Sequence, residues 1–117
     1  MSEEKLTYEP IPNLSREEIE LTIRKGEPEK VLKAVLSAAL FSGDGAWAEK
    51  ICYRVAEHPS PLVRANVHTA LGHIARIHGT MDWNKAVEVL ESGLRDQDEF
   101  VRSAARDGLD DVKHFRA

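Results

Sequence analysis

Cysteine is almost missing from this chain of 117 residues, which carries a single one, Cys52. One thiol excludes an internal disulfide and any thiolate cluster for zinc or iron–sulfur centres. It fits a reducing compartment, so the cytoplasm is the expected location. Aromatic residues are scarce at 6%, beside 42% apolar and 31% charged residues, a mixture that favours helices over strands. No apolar run approaches the roughly 18 residues that a membrane-spanning helix requires. The amino terminus, MSEEKLTYEP, is acidic where an export signal is basic and then apolar, so neither a classical signal nor a membrane association is expected. Positive charge is in deficit, with 16 Lys and Arg against 20 Asp and Glu for a net charge of −4. Such a chain repels nucleic-acid phosphate as a whole and suits a protein partner with a basic surface. Its length is that of one domain, which excludes a multidomain enzyme.

What is present is a repeat. The segment HPSPLVRANVHTALGHI from His58 lies without a gap on DQDEFVRSAARDGLDDV from Asp96, 38 residues later. Val63 and Arg64 meet Val101 and Arg102, and Leu71 and Ile74 meet Leu109 and Val112. Upstream, Ala48, Ile51, Cys52 and Ala56 meet Ala86, Val89, Leu90 and Leu94. An earlier, degenerate copy lays Val31, Val35 and Ala38 on Val63, Val67 and Ala70 at an offset of 32, with Leu32 at the arginine position. Terminal repeats commonly depart from the pattern in this way.

Each unit reads as two helices. Ser15 and Glu18 form a capping box, predicting a helix over about 15–25; Glu18–Ile23 alternates like a strand, but the cap and the repeat position decide for helix. Gly26 breaks it, and Val31, Val35, Ala38 and Ala39 define a second helix over about 28–42. Asp44 caps a third, through about Glu57, which buries Trp47, Ile51, Cys52 and Val55. Ser60 and Pro61 open a fourth that Gly79 stops, because proline lacks the amide hydrogen that has no partner in a first turn. Thr80 opens a fifth, with Trp83, Val87, Leu90 and Leu94 on one stripe, and a sixth runs from about Asp98 to Phe115.

Six paired helices with short loops predict an all-α solenoid of three helical hairpins. The expected organisation is an extension over 1–13 and a repeat domain over 14–117, with repeats at about 14–43, 44–79 and 80–117. Tyr8, Pro10, Ile11 and Pro12 of the extension are expected to cover the open end of repeat one. The lead-ins DQDEFVR and HPSPLVR, with ALGHI from Ala70, make the chain resemble the HEAT repeat family, whose second helices open on Asp-Pro-Asp-Pro-x-Val-Arg. The resemblance spans residues 26–113 and implies a right-handed stack. It also implies a structural aspartate–arginine pair tying neighbouring repeats. Asp96 and Arg102 take those roles, and Arg64 takes the arginine's although His58 replaces its aspartate.

Catalytic patterns are missing. His68, His73 and His78 are five apart, so consecutive rings point about 140° away from each other on a helix and share no metal-binding face. No metal site and no cofactor are expected, and HEAT-like hydroxylases that bind iron through His-Glu dipeptides find no such dipeptide here. Asp107, Asp110 and Asp111 lie beside Arg106 and Lys113 as a solvated charged face in which they could pair. No nucleophile elbow and no phosphate-binding loop occur, and Cys52 sits at a core position. The expectation is a non-enzymatic binding module.

The surface carries the remaining signal. On the fourth helix the apolar side is centred on Val63, Val67, Ala70 and Ile74, which puts Ala65, His68, Thr69, Gly72 and Arg76 opposite. The repeat offset carries these onto Ser103, Arg106, Asp107, Asp110 and His114, and in repeat one onto Lys33, Leu36, Ser37 and Leu40. The expected partner-binding residues are therefore Leu36, Leu40, His68, Thr69, Arg76, Arg106, Asp107 and Asp110. Leu36 and Leu40 are covered there either by the extension or by the partner. A short acidic HEAT-like chain is similar to the immunity proteins of bacterial toxin systems, which implies binding to a cognate toxin. An enzyme accessory subunit or structural adaptor is the alternative.

Overall fold

Capping decides where most of the helices begin. The computed structural model describes residues 10–116, so Tyr8 lies outside the described residues. The helices are α1 (Arg16–Lys25), α2 (Pro28–Phe41), α3 (Gly45–Arg54), α4 (Pro61–His78), α5 (Trp83–Gly93) and α6 (Glu99–Arg116), with no strand among the described residues. At α1 the Ser15 hydroxyl accepts from the Glu18 amide while the Glu18 carboxylate accepts from the Ser15 amide. Ile19 is buried and Ile23 half-buried one turn on, so the strand-like alternation of Glu18–Ile23 is overruled by a one-sided helix. Asp44 caps α3 through the Trp47 amide. Asp98 Oδ1 accepts from the Phe100 and Val101 amides and starts α6.

Two boundaries differ from the sequence reading. The fifth helix starts at Trp83 with Asp82 as its cap, accepting from the Lys85 amide, where Thr80 was expected to open it. The third ends at Arg54, short of Glu57: the Val55 amide turns to the Cys52 carbonyl, and the chain leaves the helix ahead of His58-Pro59-Ser60-Pro61. Two prolines one residue apart press their predecessors away from helical backbone.

The helices pair as α1–α2, α3–α4 and α5–α6, and the second helices α2, α4 and α6 lie side by side in that order. Val31, Val35, Val63, Val67, Leu71, Ile74, Val101 and Val112 are fully buried, with Ile51, Cys52 and Leu90 contributed from the first helices. Burial also pushes the Cys52 thiol far above its ordinary range, so it acts as a small hydrophobe. The first helices touch one another little, so they splay over the layer of second helices. Arg16 joins α1 to α3, with its guanidinium on the Asp44 carboxylate at 2.6 Å and 4.5 Å above the Trp47 ring.

Candidate functional site

Helix α4 has a neighbour on each flank, and that decides which side meets solvent. Val63, Val67, Ala70 and Ile74 fill one flank. Ala65, His68, Gly72 and Ala75 fill the other, against α6, and all are buried. Close approach is visible at the glycines. A Cβ on Gly108 would lie 2.8 Å from the His68 carbonyl oxygen, and one on Gly72 would lie 2.6 Å from Asp111 Oδ2. The free side stands between these flanks, where a step of about 100° per residue aligns Leu62, Asn66, Thr69, His73 and Arg76. Leu62 is 51% exposed, and Thr69 and Arg76 are exposed too. The offset of 38 residues puts Phe100, Ala104, Asp107, Asp111 and His114 beside them on α6, and Phe100 at 79% is the most exposed large apolar side chain among the described residues.

This face of α4 and α6 carries apolar anchors at one end and charge at the other. Arg76 contacts His73 Nδ1 at 2.9 Å, and burial first, then Arg76, holds the His73 pKa below its ordinary value against the opposing Asp111. Among the described residues no ion pair joins Asp107, Asp110 or Asp111 to Arg106 or Lys113, so the pairing expected there is not formed. Over α2 the middle of the matching side is closed, while Lys30 and Phe41 at its ends are exposed. Ala34 and Ser37 are buried, the Leu14 amide donates to Ser37 Oγ at 2.9 Å, and Ile11 and Leu14 pack on the core.

Adjacent repeats are tied by a polar ladder. Arg64 Nε and Nη2 donate to Asp96 Oδ2 and Oδ1 at 2.8 and 3.0 Å, while its Nη1 donates to the His58 and Pro59 carbonyls. The pair raises the Arg64 pKa and lowers that of Asp96, each chiefly through the shared hydrogen bonds. Arg102 does not bind the carboxylate; its Nη1 donates to the Asp96 carbonyl at 2.7 Å within its own loop. One rung earlier, His58 Nδ1 accepts from the Ser60 amide at 3.0 Å and Nε2 lies 3.3 Å from the Gly26 carbonyl, so the ring is the Nε2–H tautomer. Leu32 stands at the arginine position of that repeat, so a carboxylate at 58 would face a carbonyl with no cation. A neutral donor fits.

A second concave feature lies between the splayed first helices. The cleft between α3 and α5 encloses about 590 Å³, with Ala46, Tyr53, Met81 and Lys85 on its walls. Glu49 is 6% exposed, accepting from the Tyr53 hydroxyl at 2.6 Å and from the Asp82 amide at 3.0 Å. Burial and that hydrogen bond push the Tyr53 pKa upward, so Tyr53 remains a donor. The sequence reading missed this site, though the signal was available: Glu49 occupies the register position of Val87, an apolar place in the next repeat.

The HEAT repeats family model matches residues 19–110. The chain belongs to the HEAT repeat family. One solved structure similar to this HEAT chain is a chain in the crystal structure of a CDI complex from Cupriavidus taiwanensis LMG 19424. It is 35% identical, with a TM-score of 0.83 over 95% of this chain and 98% of that one. Comparison with the curated proteins finds no match.

The HEAT register explains where the expected binding residues fall. Thr69, Arg76 and Asp107 do share the open face of α4 and α6. His68 does not: at 3% exposed it is packed between repeats, on the flank turned toward α6. Leu36 occupies the register of His68 and Leu40 that of Gly72; Leu36 is 8% exposed within the core and Leu40 is half-buried, so these leucines form no exposed patch. Arg106 and Asp110 occupy the same flank register on α6. They are exposed, with Ser103 and Lys113, because no described helix packs beyond them. They line the outer flank of repeat three, so the two rows expected to run as one groove are a repeat-to-repeat contact and a polar end.

Proposed function

We propose that this HEAT chain is a non-enzymatic inhibitor of the immunity type, binding and neutralising a cognate toxin in the cytoplasm. The observation that carries the reading is the 35% identity, over nearly the whole of both chains, to a member of a CDI (contact-dependent inhibition) complex. Leu62 and Phe100 supply the exposed apolar anchors that protein interfaces concentrate near their centres. Thr69, Arg76 and Asp107 extend the contact along α4 and α6, with Arg106 and Asp110 at its margin. A net charge of −4 suits a basic toxin surface, steering association more than supplying affinity. No helix among the described residues is long and apolar enough to cross a membrane.

The test is co-expression with the product of a toxin gene sought immediately upstream of the gene for this chain. Growth should be restored, and the two proteins should co-elute as a complex that Phe100→Ser weakens. Unrelieved toxicity together with separate elution would refute the reading.

A further inference from the structure

The cleft between α3 and α5 holds a buried carboxylate without a counter-ion. Glu49 has only neutral donors, the Tyr53 hydroxyl and the Asp82 amide, and among the described residues no cation lies within ion-pair distance of it. Two lysines line the cleft without pairing with Glu49: Lys50 is exposed, and Lys85 holds its ammonium over the Tyr53 ring, 5.6 Å from its centre. A buried charge is ordinarily paired because removal from water is costly. Here the two donors leave acceptor capacity on the carboxylate, since its two oxygens offer about four lone-pair sites. The cleft above is walled by Ala46, Tyr53 and Met81, which suit an aliphatic stem. Its wall also carries His78 Nε2, buried without a hydrogen-bond partner, with the ring packed where a Cβ on Gly45 would stand. His78 closes the last turn of α4, two residues and about 200° round the helix from Arg76, so the cleft opens on the first-helix side of the stack, away from the exposed row of α4.

We infer that this cleft receives one basic side chain of the protein partner, its alkyl stem against Ala46, Tyr53 and Met81 and its cationic head on Glu49. The inference rests on the toxin-binding reading for the identity of the partner, while the preference of the cleft for an alkyl cation stands on its own geometry. A fitted cation would convert an unpaired buried charge into a paired one, and an acid or a neutral polar group would not.

The test uses N-butylguanidinium as the probe and N-butylurea as its neutral isostere, titrated by amide NMR into the wild-type protein. The cation should shift the Ala46, Glu49, Tyr53 and Asp82 resonances and bind at least tenfold more tightly than the urea. Glu49→Gln keeps an acceptor for the Asp82 amide, and it should bring the cation down to the level of the urea while leaving the melting temperature nearly unchanged. Equal binding of the two probes to the wild type, or no shift in these resonances, overturns the inference whatever the variant does. With the toxin, Glu49→Gln should weaken affinity at least tenfold; unchanged affinity removes the cleft from recognition. A wild type that binds the cation but not the toxin refutes the immunity reading and leaves the cation preference of the cleft standing.

Discussion

Replacing His68 by leucine removes the imidazole packed between α4 and α6. The side chain is nearly fully buried, Nδ1 has no hydrogen-bond partner, and Gly93 and Gly108 leave just enough room for the ring and its backbone. Burial lowers its pKa from the ordinary value of 6.5; Asp96 opposes that shift and Arg64 adds to it. As pH falls below 6.5, the unfolded chain takes up the proton first, so wild-type stability declines until the pH reaches the lower, folded-state value. A full proton of difference is worth about 1.4 kcal/mol per pH unit. At neutral pH an orphaned buried polar atom costs about 1–3 kcal/mol. Leu36 already occupies the same register on α2, so the flank has a precedent for leucine. His68→Leu should therefore gain about 1 kcal/mol at pH 7.5, and the gain should widen toward pH 5. His73, whose pKa is lowered in the same direction, stays in both proteins, so the difference between them reads His68 alone. Urea unfolding of both proteins from pH 7.5 to 5 measures it. Parallel pH profiles, or a variant that is less stable throughout, would refute the reasoning.

Three further outcomes follow from the same geometry. His58→Asp should cost about 1–2 kcal/mol, because a carboxylate replaces the donor facing the Gly26 carbonyl; adding Leu32→Arg should recover most of that loss by recreating the rung that Arg64 and Asp96 form, as a double-mutant cycle in urea would show. Gly108→Ala should lower stability by about 1–3 kcal/mol, since its Cβ would meet the His68 backbone, which cannot yield as a side chain would; an unchanged denaturation midpoint would contradict the close packing of α4 and α6. Phe100→Ser should leave stability within about 0.5 kcal/mol, because the ring is already solvent-exposed, yet weaken toxin binding at least tenfold in calorimetry.

Much of this fold is written locally. The capping box at Ser15, the aspartates at 44 and 98, and the apolar recurrence on α2, α4 and α6 are satisfied within a turn or two of chain, so they were legible before any packing was known. The repeat offset likewise announced the stacked hairpins of a HEAT protein. Where a cap was misplaced, at Thr80 instead of Asp82, two residues with similar side-chain chemistry competed, and only the bond to the Lys85 amide separated them.

Exposure was another matter, because it depends on what stands a whole repeat away. Helical periodicity shows that α4 has two kinds of side, but it cannot show that the apolar row meets α2, that the mixed row of His68 and Gly72 meets α6, and that solvent reaches Leu62, Thr69, Arg76 and Ile77 between them. The same register is core at Leu36, an interface at His68 and a polar end at Arg106, since each has a different neighbour. The pairing of Arg64 with Asp96 and the placing of Glu49 at the floor of a cleft were decided in the same way. Hydrogen bonds within a helix turn are fixed by residues three or four apart, whereas burial and charge pairing wait for the packing of helices some 30 to 40 residues distant in the chain.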